Sequence, residues 1–241
     1  IWSLFISELS AASEMKGLIV SLIFMGLTGG LLVKDLDRPD RFLYVLLRPQ
    51  WKSWLVRGAY IITVFGGLIT LKLVGNIFEI SMSWIWAIGG IFSIFGAVYT
   101  AFLFAQARAR DLWQSPGISA IHMLVHAFMA GSVVMMVIAP ESTLWMANLL
   151  FLGIIINLII IAKEILMPHD TPDTKKAIHL MTKGYYSKYF WFGATFGNLA
   201  SAVILLTFTG NWVLFAGGMA LVGIYLTEYV RIRVPQMIPL S

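Results

Sequence analysis

The chain has 241 residues, of which 59% are hydrophobic and 12% charged, about half the charged fraction of an ordinary soluble domain. It holds no cysteine, which removes disulfides, thiolate metal sites and iron–sulfur ligation by this chain. The formal charge of +5 does not point to nucleic acid, because basic residues in so apolar a chain report membrane topology.

The apolar residues come in runs of about 20, the length at which a helix crosses the hydrocarbon core of a bilayer. Runs such as "WMANLLFLGIIINLIIIA" lack the alternation that a membrane β-strand requires. The expected fold is all-α: a polytopic transmembrane helical bundle, one domain over residues 1–241, with seven clear spans at roughly 15–33, 55–75, 81–105, 118–139, 143–166, 187–208 and 212–231. Residues 1–14, "IWSLFISELSAASE", are apolar but short, and read either as the stub of a further N-terminal helix or as an interfacial lead-in. The chain opens at Ile1 rather than Met, so further residues before it are expected.

After the first span comes "KDLDRPDRFLYVLLRPQWKSWLVRGAY", residues 34–60, with six basic and three acidic residues. Pro39 disfavours helical geometry at Arg38 and marks the helix exit. Asp35, Asp37 and Asp40 alternate with Lys34, Arg38 and Arg41 and can pair locally. "RFLYVLL" reads as an amphipathic piece lying in the interface, Pro49 ends it, and Arg57 sits about one turn inside the next span, where it can snorkel or meet a carboxylate.

Fifteen of the seventeen Lys and Arg residues fall in alternate loops; the exceptions are Lys16 and Lys72. That alternation predicts that the basic loops and the C-terminus face the cytoplasm. Tryptophans sit near span ends, Trp51, Trp54, Trp113 and Trp191 on the basic side and Trp84, Trp86, Trp145 and Trp212 on the other, as interfacial rings prefer. Gly66, Gly67, Gly89, Gly90, Gly193, Gly197, Gly217 and Gly218 lie inside spans and are expected to let helices approach closely.

Ionisable residues within a membrane are costly and so become functional candidates. Glu14 opens the first span, with Glu8 and Lys16 nearby as interfacial charges. Lys72 lies near the end of the second span and can snorkel. His122 and His126, in "ISAIHMLVHAFMAG", share one helix face. Two histidines on one face cannot grip opposite sides of a haem iron, and no other span offers one. They suit either a proton relay, since a neutral imidazole both donates and accepts, or polar contact with a neighbouring helix. Glu164 and Glu228, near the basic-side ends of their spans, either snorkel or join His122, His126 and Asp111 in a proton inlet. Asn157 and Asn198 are expected to bond across helices or to contact a ligand, and Tyr60 and Tyr99 to pack or to reach a ligand's oxygens.

Three stretches carry a resemblance: "KDLDRPDRF…LLRPQWKSWLVRGAYI", "YTAFLFAQARARDLWQSP" and "MTKGYYSKYFWFGATFGNL". In this order they resemble the second-to-third helix connection, the fourth-helix exit and the approach to the penultimate helix of the polysulfide-reductase-type membrane subunits, the NrfD/PsrC family. The likeness runs from about residue 14 to 231. Members of that family have eight helices or more, and here the first is expected to be absent or reduced to "FISELSAAS", so a site built on it cannot be placed. The resemblance implies a membrane subunit that binds quinone or quinol (menaquinone or ubiquinone), with no metal or haem of its own. It implies electron exchange with an iron–sulfur subunit, a catalytic partner that is a molybdopterin enzyme or a multihaem cytochrome, and in some members proton translocation. It implies a bacterial cytoplasmic (inner) membrane and no nucleic-acid partner. Glu14 resembles an acidic position near the quinone site of alternative-complex-III-type members, and with Tyr60, Tyr99, Asn157 and Asn198 it makes up the candidate quinone pocket. Two other classes fit scattered polar residues in spans: a secondary transporter or channel, which would show paired helix breaks and an internal repeat, and a membrane anchor without a quinone site.

Overall fold

The computed structural model describes residues 9–34, 38–39, 42–106, 113, 115–167 and 171–238, and all regular structure among them is helical. Among the described residues, seven helices are long and apolar enough to cross a membrane: Ala11–Lys34, Trp54–Ile77, Trp84–Ala105, Pro116–Ile138, Pro140–Leu166, Ser187–Thr207 and Asn211–Gln236. Each falls on one expected span, with ends displaced by a few residues. Contacts sort the chain into two compact units, Ile1–Gln106 and Ala107–Ser241.

The first unit holds α1 (Ala11–Lys34), α2 (Phe42–Leu47), α3 (Trp54–Ile77) and α4 (Trp84–Ala105). α1 starts earlier than the apolar run because Ser10 caps it: the Ser13 amide donates to Ser10 Oγ at 3.1 Å, satisfying one of the unpaired donors of the first turn. α3 packs against both α1 and α4. Against α4 it sets Gly58, where a Cβ would lie 2.3 Å from the Tyr99 ring. Gln106 closes the start of α3 from the far end of α4: its Oε1 accepts from the Trp54 amide at 2.9 Å and its Nε2 donates to the Lys52 carbonyl at 3.0 Å. α2 is the expected interfacial piece, six residues long with Leu43, Tyr44 and Leu47 exposed. Arg57 stays exposed, as a snorkelling side chain does: its Nε donates to the Trp51 carbonyl at 2.6 Å and its guanidinium lies 4.7 Å from the centre of the Trp54 ring. The expected pairing of Asp35, Asp37 and Asp40 falls outside the described residues. Ile23, Phe24, Leu27 and Leu31 of α1 are exposed, as side chains solvated by lipid tails are.

The second unit runs α5 (Pro116–Ile138), a 3₁₀ turn (Pro140–Ser142), α6 (Thr143–Leu166), α7 (Pro172–Thr182), α8 (Ser187–Phe192), a π-helical segment (Gly193–Ala200), α9 (Ser201–Thr207) and α10 (Asn211–Gln236). α5 and α6 form an antiparallel pair, with Met129 seated over Gly153, where a Cβ would meet it at 2.6 Å. Two features depart from the sequence reading. The basic loop after α6 contains a helix, α7: Thr171 accepts from the Thr174 amide at 3.2 Å and Pro172 occupies the first helical position. It lays Ala177, Ile178 and Met181 against Phe190, Val230 and Val234. The sixth span is not a uniform α-helix but winds as π through Gly193–Ala200; short π segments inside α-helices recur at functional sites.

The expected role of the span glycines holds for some and not for others. Gly193, Gly197 and Gly217 lie against neighbouring helices, whereas a Cβ on Gly66, Gly67, Gly89 or Gly218 would meet nothing within 4 Å among the described residues.

Candidate functional site

The helical repeat brings His122 and His126 one above the other on α5, ring centroids 4.2 Å apart. α6 presents Asn157 to both: its Oδ1 lies 2.6 Å from His122 Nε2 and 3.0 Å from His126 Nε2. The π segment brings in Asn198, whose Oδ1 accepts from Asn157 Nδ2 at 2.9 Å and whose Nδ2 donates to the Gly193 carbonyl at 2.9 Å. α10 closes the opposite side, with Glu228 Oε1 3.2 Å from His126 Nδ1 and 3.8 Å from His122 Nδ1. His122, Asn157 and Asn198 are 0% exposed, so these polar groups depend on one another, on Glu228 and on the Gly193 carbonyl, the condition under which such networks are most sensitive to a missing member.

Arg231, one turn beyond Glu228, extends the network. Its Nη1 lies 3.7 Å from Glu228 Oε1 and its Nη2 3.3 Å from Glu164, while its backbone carbonyl accepts from the Trp113 indole at 3.3 Å. Glu164 therefore pairs across helices with Arg231. The sequence reading took Arg231 for a topology residue; its i+3 spacing from Glu228 was the available signal. One ring nitrogen each of His122 and His126 and a Glu228 carboxylate oxygen lie within 4.8 Å of one another. Such a set suits a cation in principle, but Arg231 already places a positive charge beside that carboxylate.

A second polar group forms in the first unit, between α1 and the end of α3. Lys72 Nζ lies 3.2 Å from Glu14 Oε1 and donates to Asn76 Oδ1 at 2.8 Å, and Asn76 Nδ2 donates to Glu14 Oε1 at 2.7 Å. Lys72 is buried, with Nζ 5.3 Å from the centre of the Trp86 ring. It does not snorkel, because a carboxylate and an amide oxygen meet it inside the unit. The triad borders a groove of about 320 Å³ whose rim includes Met15, Glu79, Ile80 and Ser81. Glu79 sits on that rim with φ +57°, a left-handed backbone uncommon outside glycine. Asn76 was missed by sequence reading; it stands one turn after Lys72, a spacing that places both on one face.

The Tyr60 hydroxyl donates to the Leu46 carbonyl at 2.5 Å, tying α2 to α3, and Tyr99 is the packing partner of Gly58; neither lines the groove. Asn157 and Asn198 belong to the histidine network, with the cross-helix bonding expected of them. Asp111 lies outside the described residues.

A bundle of long apolar helices holding buried ionisable networks inside its spans defines a multi-pass integral membrane protein. The model of the family described as polysulphide reductase, NrfD matches residues 7–239, and the chain belongs to that family. Neither the curated proteins nor the solved structures compared give a match. Membership makes the chain a membrane subunit of a redox complex, in a family that is generally quinone-linked and typically pairs with iron–sulfur and catalytic subunits.

Proposed function

We propose that this subunit binds a quinone or quinol and exchanges its electrons with an iron–sulfur partner, and that its buried histidine network takes part in the accompanying proton transfer. A quinol gives up two electrons and two protons on oxidation, so its site needs a slot for a flat ring, hydrogen-bond partners for two oxygens, and titratable groups nearby. The observation that carries the reading is the Glu14–Lys72–Asn76 triad beside its groove. The Glu14 carboxylate can accept from a quinol hydroxyl, and Lys72 and Asn76 can donate to a quinone oxygen. The groove's 320 Å³ falls within the range of small-ligand sites, about 300–1,000 Å³.

Electrons leave the ring for the iron–sulfur subunit, since cysteine ligation is absent from this chain; that subunit passes them to or from a molybdopterin enzyme or multihaem cytochrome. The alternating basic residues support basic loops on the cytoplasmic side of a bacterial inner membrane. The test uses the intact complex. Organic extraction yields about one quinone per complex, and Glu14→Gln and Lys72→Met each lower quinol-linked turnover by about 10²-fold, the usual scale for a lost proton-transfer group. A complex that carries no quinone, or variants that turn over at the parent rate, would remove the triad from the quinone site.

A further inference from the structure

We infer that Asn157 and Asn198 lock both buried histidines in the Nε2–H tautomer, so that the network holds one exchangeable proton, confined between His122 Nδ1, His126 Nδ1 and Glu228. The lock is anchored at a backbone atom. The Gly193 carbonyl can only accept, and it lies 2.9 Å from Asn198 Nδ2. This orients the Asn198 amide, turning its Oδ1 toward Asn157. An acceptor must meet a donor, so Asn157 presents Nδ2, at 2.9 Å. Its other half, Oδ1, then faces the Nε2 atoms of His122 and His126 at 2.6 and 3.0 Å. An amide oxygen has two lone pairs and no hydrogen. Both Nε2 atoms must therefore carry hydrogens, and together they saturate that oxygen.

A neutral imidazole has a single N–H, which leaves both Nδ1 atoms bare and directed at Glu228 Oε1, 3.8 and 3.2 Å away. His122 Nδ1 and Glu228 Oε1 are accordingly buried atoms without a hydrogen-bond partner. Three electron-rich atoms converge, and a single proton would bridge the closest pair, His126 Nδ1 and Glu228 Oε1, as an imidazolium beside a carboxylate or as a carboxylic acid donating to the histidine, and would ease the repulsion on His122 Nδ1. Among the described residues, the charged groups facing this point are Glu228 and Arg231 on α10 and, through Arg231, Glu164 on α6; α5 supplies the histidines themselves and the π segment only the neutral Asn198. A second consequence is directional. The Nε2 hydrogens end on an amide oxygen, which does not relay protons, so protons enter and leave only by the Nδ1 and Glu228 side. The network is a terminus that loads a proton, not a wire passing through α6. Asn157 and Asn198 are positioning residues.

The loading role rests on the proton-handling reading above; the tautomer assignment does not, which lets the two fail separately. The experiment is ¹⁵N NMR of the histidine-labelled protein in lipid nanodiscs, with His169→Gln and His179→Gln removing the other two of the four histidines. Both remaining residues are expected to show protonated Nε2 and unprotonated Nδ1 when neutral, with acidification moving the Nδ1 signals. Asn198→Leu, which touches neither histidine, frees Asn157 to turn over and gives mixed tautomers; Asn198→Asp retains an acceptor for Asn157 Nδ2 and keeps the parent pattern. A parent spectrum with protonated Nδ1 and bare Nε2 overturns the proposal by itself, whether or not any variant folds. So does an unchanged pattern in Asn198→Leu, or a chelatable metal present at one equivalent whose removal shifts both Nδ1 signals. If the tautomers are as inferred while quinol oxidation proceeds normally in His126→Gln, the lock stands and the proton-handling reading falls.

Discussion

Arg231→Met lowers the thermal midpoint of the purified protein by about 10 °C, from a loss of about 3–5 kcal/mol for a broken buried ion pair. The guanidinium lies 3.3 Å from Glu164 and 3.7 Å from Glu228, and both carboxylates rest on it. Removing the cation leaves two acidic groups facing a site where lipid and packed side chains replace water. One must take a proton, or α6 and α10 must part. The charge-free triple variant Arg231→Met, Glu164→Gln, Glu228→Gln recovers most of the lost stability, because no uncompensated charge then remains. A differential scanning fluorimetry series in one detergent measures both. A single variant melting with the parent would show that the carboxylates find another counter-charge and that the trio is not structural.

Gly197→Ala carries the second large effect. A Cβ at this position would lie 2.2 Å from Gly223 Cα and 2.6 Å from its nitrogen, and neither backbone atom can rotate aside. The π segment must retreat from α10 by about 1 Å, at a cost of about 1–3 kcal/mol or more. The retreat carries Asn198 with it and strains the 2.9 Å bond to Asn157, so the histidine network loosens together with the packing. Gly218→Ala is the matched control: it sits on the same α10 with nothing within 4 Å of the added carbon, and alanine there favours a helix by about 1 kcal/mol. Thermal melts of the two variants should move in opposite directions. Equal melts would mean that α10 and the π segment can separate without penalty.

How much of the site could be read beforehand differs between its members. The i,i+4 pair His122 and His126 was legible because helical geometry alone puts them on one face. Glu14, Glu164, Glu228, Asn157 and Asn198 were legible as individuals, because polar groups inside apolar runs stand out. Their partners were not. Glu164 adjoins Lys163 in the chain yet pairs with Arg231, since consecutive helix residues point about 100° apart and only the neighbouring helix brings the guanidinium in. Lys72 looked free to reach the interface and is instead held by Glu14 and Asn76.

The sequence by itself determined the all-helical class, the seven spans, their alternation of basic loops and the family resemblance. Each of these follows from local length, composition or short motifs, which act on a segment before any neighbour is present. The tertiary structure alone decided which asparagine faces which imidazole nitrogen, where the π turn falls, which glycines are packed, and that α7 closes over the ends of α8 and α10. Those features depend on contacts between side chains tens of residues apart, with energies set by ångström-scale distances that a linear pattern does not contain.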